Sequence, residues 1–144
     1  MLNHKFSQRR SLINRRNRGS AFVEALGAAV VLIPIALIVL DLMVMVITNS
    51  FNDSAAKNAA RAAANQKEFA SAFNAADKSL KAFKPNAIMP ELKMVDMTYN
   101  DKDGTVKVLT QMKVNLPVPF PGYQQLTFRA QALEPIVGDK RGSY

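Results

Sequence analysis

The chain has 144 residues, with 19 Lys or Arg against 11 Asp or Glu, one His and no Cys. Without a thiol, disulfides, thiolate metal sites and cysteine nucleophiles are excluded; with a single His, a zinc site or a histidine-based triad has too few residues to draw on. The formal charge of +8 would suit a nucleic-acid binder if it covered a folded surface, but it is concentrated at one end, so no nucleic-acid partner is expected.

Lys5, Arg9, Arg10, Arg15, Arg16 and Arg18 crowd the start of the chain with no acid among them, and His4 lies there too. A basic cluster directly before a hydrophobic segment is a topology signal that holds its end on the cytoplasmic side. Gln8-Arg9-Arg10-Ser11-Leu12 is similar to a twin-arginine export signal. The three further arginines separate that pair from the apolar region, so the pair reads as topology charge.

The apolar run from Ala25 to Ile47 follows. Its length, about 23 residues, meets the roughly 20 needed to cross a bilayer core. It exceeds the apolar region of a secretory signal peptide and ends without a small-residue cleavage site of that kind. A retained transmembrane helix is therefore expected, with the C-terminal two-thirds outside the cytoplasm. Three residues in and beside the run need separate explanations. Glu24 sits at the cytoplasmic edge, where it either reaches water or meets a cation in the membrane, since a bare carboxylate in hydrocarbon is costly. Asp41 lies near the outer interface or faces another helix. Pro34 removes one helical hydrogen bond, which transmembrane helices tolerate.

The junction Arg18-Gly19-Ser20-Ala21-Phe22-Val23-Glu24-Ala25-Leu26 resembles the processing site of class III (type IV) prepilins, with Glu24 the fifth residue after the Gly19–Ser20 bond. With Pro34, Asp41 and the alanine-rich Ala59-Ala60-Arg61-Ala62-Ala63-Ala64, it is similar to the TadE/TadF pseudopilins of tight-adherence (Tad/Flp) pilus systems. The resemblance covers about residues 18–64. Ala25 follows Glu24 where the major Flp pilins commonly carry an aromatic, and this chain is much longer than those; both departures point to a minor pseudopilin. The resemblance implies cleavage between Gly19 and Ser20 by a membrane-embedded prepilin peptidase. It also implies a role for Glu24 in cleavage recognition or assembly, and other pilins or pseudopilins and an inner-membrane assembly platform as partners. The new α-ammonium on Ser20 would supply the cation for a neighbouring subunit's Glu24.

Beyond Thr48, Phe51, Ala55, Ala59 and Ala62, then Phe69, Phe73, Ala76, Leu80 and Phe83, recur at three- and four-residue steps, which predicts helix. A break is expected near Asn65-Gln66, and Lys84-Pro85 ends the second segment. The alanines between 55 and 64 reflect helix propensity or a packing face for another subunit. After Pro90 the period changes. Val95, Met97 and Tyr99, then Val106, Val108, Met112 and Val114, alternate with polar residues around Asn100-Asp101-Lys102-Asp103-Gly104, which predicts a β-hairpin. Asp101 and Asp103 are too few oxygen ligands for a calcium loop. Pro117-Val118-Pro119-Phe120-Pro121-Gly122 reads as a stiff connector. Leu126, Phe128, Ala130 and Ala132 predict a third strand, and residues 138–144 a mobile tail.

The expected organisation is a basic leader (1–19), a transmembrane helix (20–48), a helical region outside the cytoplasm (49–84), a small antiparallel β region (85–137) and the tail. The fold class is α+β: a type IV pilin-like N-terminal helix, then a small head. In the head, the sheet's apolar face is expected to cover the Phe69/Phe73/Leu80/Phe83 stripe. The expected function is structural, a minor pseudopilin of a Tad-type pilus or secretion system anchored in the bacterial cytoplasmic membrane. Neither a metal site, a cofactor nor catalytic residues are expected. The alternatives are an uncut single-pass anchor carrying a binding module, and a type II secretion pseudopilin.

Overall fold

The structure, a computed structural model, describes the backbone of residues 5–120 and 123–137 and the side chains of residues 19–118 and 124–137. The tail 138–144 and the Pro121-Gly122 pair lie outside the described residues, as do the side chains of the basic leader. The element order is α1 (Lys5–Ala64), α2 (Phe69–Lys81), β1 (Glu91–Asn100), β2 (Thr105–Phe120) and β3 (Tyr123–Pro135). The chain divides into two compact units, Met1–Val39 and Leu40–Tyr144.

In the first unit the described residues belong to α1 alone, and Pro34 lies inside the helix. Val30, Val31, Leu32 and Ile33 are all exposed. A helix apolar on all sides needs an apolar surround, and this is the one described helix long and apolar enough to cross a membrane.

The second unit is a helix-on-sheet layer. Its three strands lie in the order β1-β2-β3, antiparallel throughout. The central strand β2 turns Val106, Val108, Thr110, Met112, Val114 and Leu116 inward, all buried, as the two-residue period of a strand requires. They meet the end of α1, where Asn52, Ala56, Ala59, Ala60 and Ala63 are fully buried. These alanines share one core cluster with Val106 and Val108, so propensity and packing are satisfied by the same residues. The alanine face is thus occupied by the chain's own sheet. It is also turned by about one residue from the expected Phe51/Ala55/Ala59/Ala62 stripe; Phe51 stays 41% exposed. The turn follows from Asn52, whose Oδ1 accepts a 2.9 Å hydrogen bond from the Thr110 hydroxyl and so faces β2.

Helix α1 ends at Ala64, near the expected break. Its last carbonyl accepts the Val137 N–H at 2.9 Å, and the Tyr99 hydroxyl donates to the Gln66 carbonyl at 2.9 Å in the corner that follows. Orphan carbonyls at a helix end need such partners. In α2 the buried residues are Ala72, Ala76 and Leu80. The expected cover over Phe69 and Phe73 is therefore not what forms: they are 53% and 43% exposed and stack on each other at 6.3 Å. Two neighbouring stripes of α2 share the three- and four-residue step, and the one with small side chains is the one that packs closely. Phe83 instead meets Phe51 at 5.5 Å.

The first hairpin turns where expected. The Asn100 side chain accepts from the backbone N–H groups of Lys102 and Asp103, and Gly104 takes a positive φ of 60°, which glycine adopts without strain. A register shift between Met94 and Asp96 makes Val95 a bulge residue, which leaves it exposed where an inward position was expected. One extra residue flips the alternation, so Leu92 and Met94 join Met97 and Tyr99 against the core. Pro117 lies within β2 rather than in a separate connector. The ladder with β1 stops at Glu91–Lys113; beyond it that edge of β2 is held at Asn115, whose N–H donates to the Ile88 carbonyl at 2.8 Å, and Pro117 lies past this point, where an edge tolerates proline.

Candidate functional site

Gly19, Ser20 and Glu24 belong to the first unit. Ser20 and Glu24 are four residues apart on a continuous helix, which places them on one face, one turn apart. All three are exposed, and a Cβ on Gly19 would meet nothing within 4 Å. Gly19 and Ser20 are therefore open among the described residues, and Glu24 follows one turn along the same helix. Gly27 is equally open, so nothing among the described residues requires a glycine there.

Asp41 belongs to the second unit and is 1% exposed. Its Oδ1 accepts the Val118 N–H at 3.2 Å, and its Oδ2 is buried without a partner. Of the two expected settings, outer interface or another helix, the structure adds a third: the carboxylate faces the end of its own strand β2. Thr48 and Asn52 continue the same face at steps of seven and four residues. The Thr48 hydroxyl donates to the Val44 and Met45 carbonyls at 2.7 and 3.1 Å, and Asn52 meets Thr110, with its Nδ2 unpartnered. Thr48 and Asn52, unlike Asp41, were not singled out from the sequence. Their spacing of 41, 48 and 52 was the available signal, since it repeats one helical face in a run otherwise apolar.

The opposite face of the same helix carries Leu42, Met43, Val46 and Ile47, each more than half exposed. Over these two turns α1 is thus polar where its own sheet covers it and apolar where nothing does, the inverse of a water-soluble helix.

One charge cluster lies at the edge of the sheet. Glu91 bridges Lys93 at 3.2 Å and Lys113, and these two ammonium groups hold its carboxyl below the usual value of 4.5, Lys113 the more strongly. Partial burial, then the nearby Asp101 carboxylate, push the Tyr99 phenol above its ordinary 10.0. Among the described residues no group of three or more His, Asp or Glu is placed to hold a metal ion. The grooves are shallow; the one between α2 and β1, about 340 Å³, is lined by Phe73, Leu80, Lys81, Leu92 and Met94 among others. Compared with protein-family models, with curated proteins and with solved structures, the chain matches none.

Proposed function

We propose that the chain is a minor pseudopilin of the TadE/TadF type, a structural subunit in a Tad-type pilus or secretion system. The observation that carries this reading is an exposed, apolar helix that opens on Gly19-Ser20-Ala21-Phe22-Val23-Glu24 and continues as the central helix of a small α+β unit. In this reading α1 anchors the chain in the bacterial cytoplasmic membrane, with the basic start inside and the α+β head outside. A prepilin peptidase cuts between Gly19 and Ser20. The chain is the substrate of that cut and does no chemistry itself. Glu24, in or at the edge of hydrocarbon, then accepts the Ser20 ammonium of a neighbouring subunit. An opposite charge offsets the few kcal/mol that a carboxylate costs in that setting. Other pilins or pseudopilins and the assembly platform are the partners.

N-terminal sequencing of the membrane-extracted protein tests the reading. It should begin at Ser20 in cells that contain the peptidase and at the uncut start in cells that lack it. An uncut chain in both would leave the anchored binding module as the better account. Glu24→Ala should still insert into the membrane but should fail to co-purify with the assembled machine; normal incorporation of that variant would remove the assembly role.

A further inference from the structure

We infer that the end of the head nearest the membrane is itself seated in the bilayer: residues 114–118 of β2, residues 124–128 of β3 and the apolar face of α1 at residues 42–47 form a lipid-embedded foot. This rests on α1 crossing a bilayer, as proposed above. Three observations within the second unit carry it.

The first is where charge stops. Along α1 Asp41 is followed by no ionisable residue until Asp53, about 18 Å further at 1.5 Å per residue. Along the sheet Lys113 is the last charge on β2, and the next is Arg129 on β3. From Lys113 to Val118 is about 17 Å at roughly 3.3 Å per residue. These two charge-free lengths coincide in space. Val118 hydrogen-bonds Asp41 at one end, and at the other Phe128 lines a common groove with Val46 and Asp53. Helix and hairpin thus lose their charges at the same height, as a lipid environment requires, since each charge placed there costs several kcal/mol.

The second observation is the exposed apolar strip. Met43 is 62% and Ile47 66% exposed. The third is the handling of Asp41. Asp41 is the one ionisable side chain at this level among the described residues, and it is enclosed, with Oδ1 on the Val118 N–H. A side chain beside water needs no such cover, whereas one beside lipid does.

Of the peptide groups at this end of β2, the Val118 N–H is held by Asp41, and Pro117 and Pro119 have no N–H to satisfy.

The chain contains no Trp, so single tryptophans report depth directly. Four full-length variants, Leu32→Trp, Pro117→Trp, Gln124→Trp and Leu133→Trp, would be reconstituted in vesicles of phosphatidylethanolamine and phosphatidylglycerol. The vesicles would carry spin-labelled lipid, the label near the headgroup or near the chain end, and each variant's fold would be checked by circular dichroism. Leu32→Trp should be quenched mainly by the deep label. Pro117→Trp and Gln124→Trp should lose most of their emission to the shallow label and resist aqueous iodide, and Leu133→Trp should behave in the opposite way. The two hairpin positions give independent readings if the Pro117 change disturbs the strand end. Quenching of Leu32→Trp alone, with both hairpin positions open to iodide, would overturn the foot and leave the membrane anchor standing. Hairpin positions closed to both quenchers would mean that protein covers them, which also overturns it. A Leu32→Trp that no lipid label quenches would overturn the anchor and the foot together.

Discussion

Replacing Thr110 by Val removes one hydroxyl and keeps the shape of the side chain, which isolates a polar contact at the centre of the head. The Thr110 hydroxyl donates to Asn52 Oδ1 at 2.9 Å, and both residues are fully buried. The Asn52 Nδ2 has no partner. With valine at 110, the asparagine amide loses its remaining side-chain partner, and a buried polar group left unsatisfied costs about 1–3 kcal/mol. Because the volume is conserved, little of that cost comes from a cavity. Asn52→Leu acts in the other sense: it removes the unpartnered amide, and the Thr110 hydroxyl falls back on the Ala130 carbonyl at 3.4 Å. The pair Asn52→Leu/Thr110→Val should therefore be at least as stable as the parent, since replacing both partners by apolar groups is close to neutral or better. The assay is urea unfolding of the detergent-solubilised full chain, followed by tyrosine fluorescence, as a double-mutant cycle. Thr110→Val should cost about 1–3 kcal/mol alone and close to nothing in the Asn52→Leu background. Equal costs in both backgrounds would refute the claim that α1 and β2 are joined by this contact.

Ala60 is fully buried against the sheet, so Ala60→Leu should lower head stability by about 1–3 kcal/mol through overpacking and leave membrane insertion unchanged, measured by urea unfolding beside carbonate extraction. Tyr99→Phe removes the hydrogen bond to the Gln66 carbonyl and should cost about 0.5–1.5 kcal/mol near neutral pH. The phenol's folded pKa is raised above 10.0, so its contribution is complete below that pH and declines as pH rises through the folded value. The alkaline fall in stability should therefore be shallower in Tyr99→Phe than in the parent, read from melting temperatures between neutral pH and strongly alkaline buffer.

Several local decisions are legible in the residues themselves. Asn100-Asp101-Lys102-Asp103-Gly104 contains both the capping side chain and the glycine that its turn uses. The second helix ends at Lys81, three residues short of the expected Lys84-Pro85 stop, and Ala25–Ile47 has the length and apolarity of a membrane span, by a rule acting over a few neighbours. The Gly19–Ser20 junction with Glu24 is likewise a local pattern, readable without the fold.

What periodicity leaves open is which of two adjacent stripes packs inward. Phe69/Phe73 and Ala72/Ala76 obey the same step; the close approach of α2 to β1 selected the alanines. Val95 obeyed the strand alternation until the bulge after Met94 reversed it. Asp41 was conspicuous as an acid in an apolar run, but its partner, the Val118 N–H, is 77 residues away in the chain.

The amino-acid order alone therefore determined the elements and the basic-to-apolar junction, because propensity, proline geometry and charge act between residues close in sequence. The tertiary structure decided the inward face of each helix, the fate of the alanine stripe and the enclosure of Asp41. Those outcomes depend on which distant surfaces meet and on how closely their side chains allow them to approach.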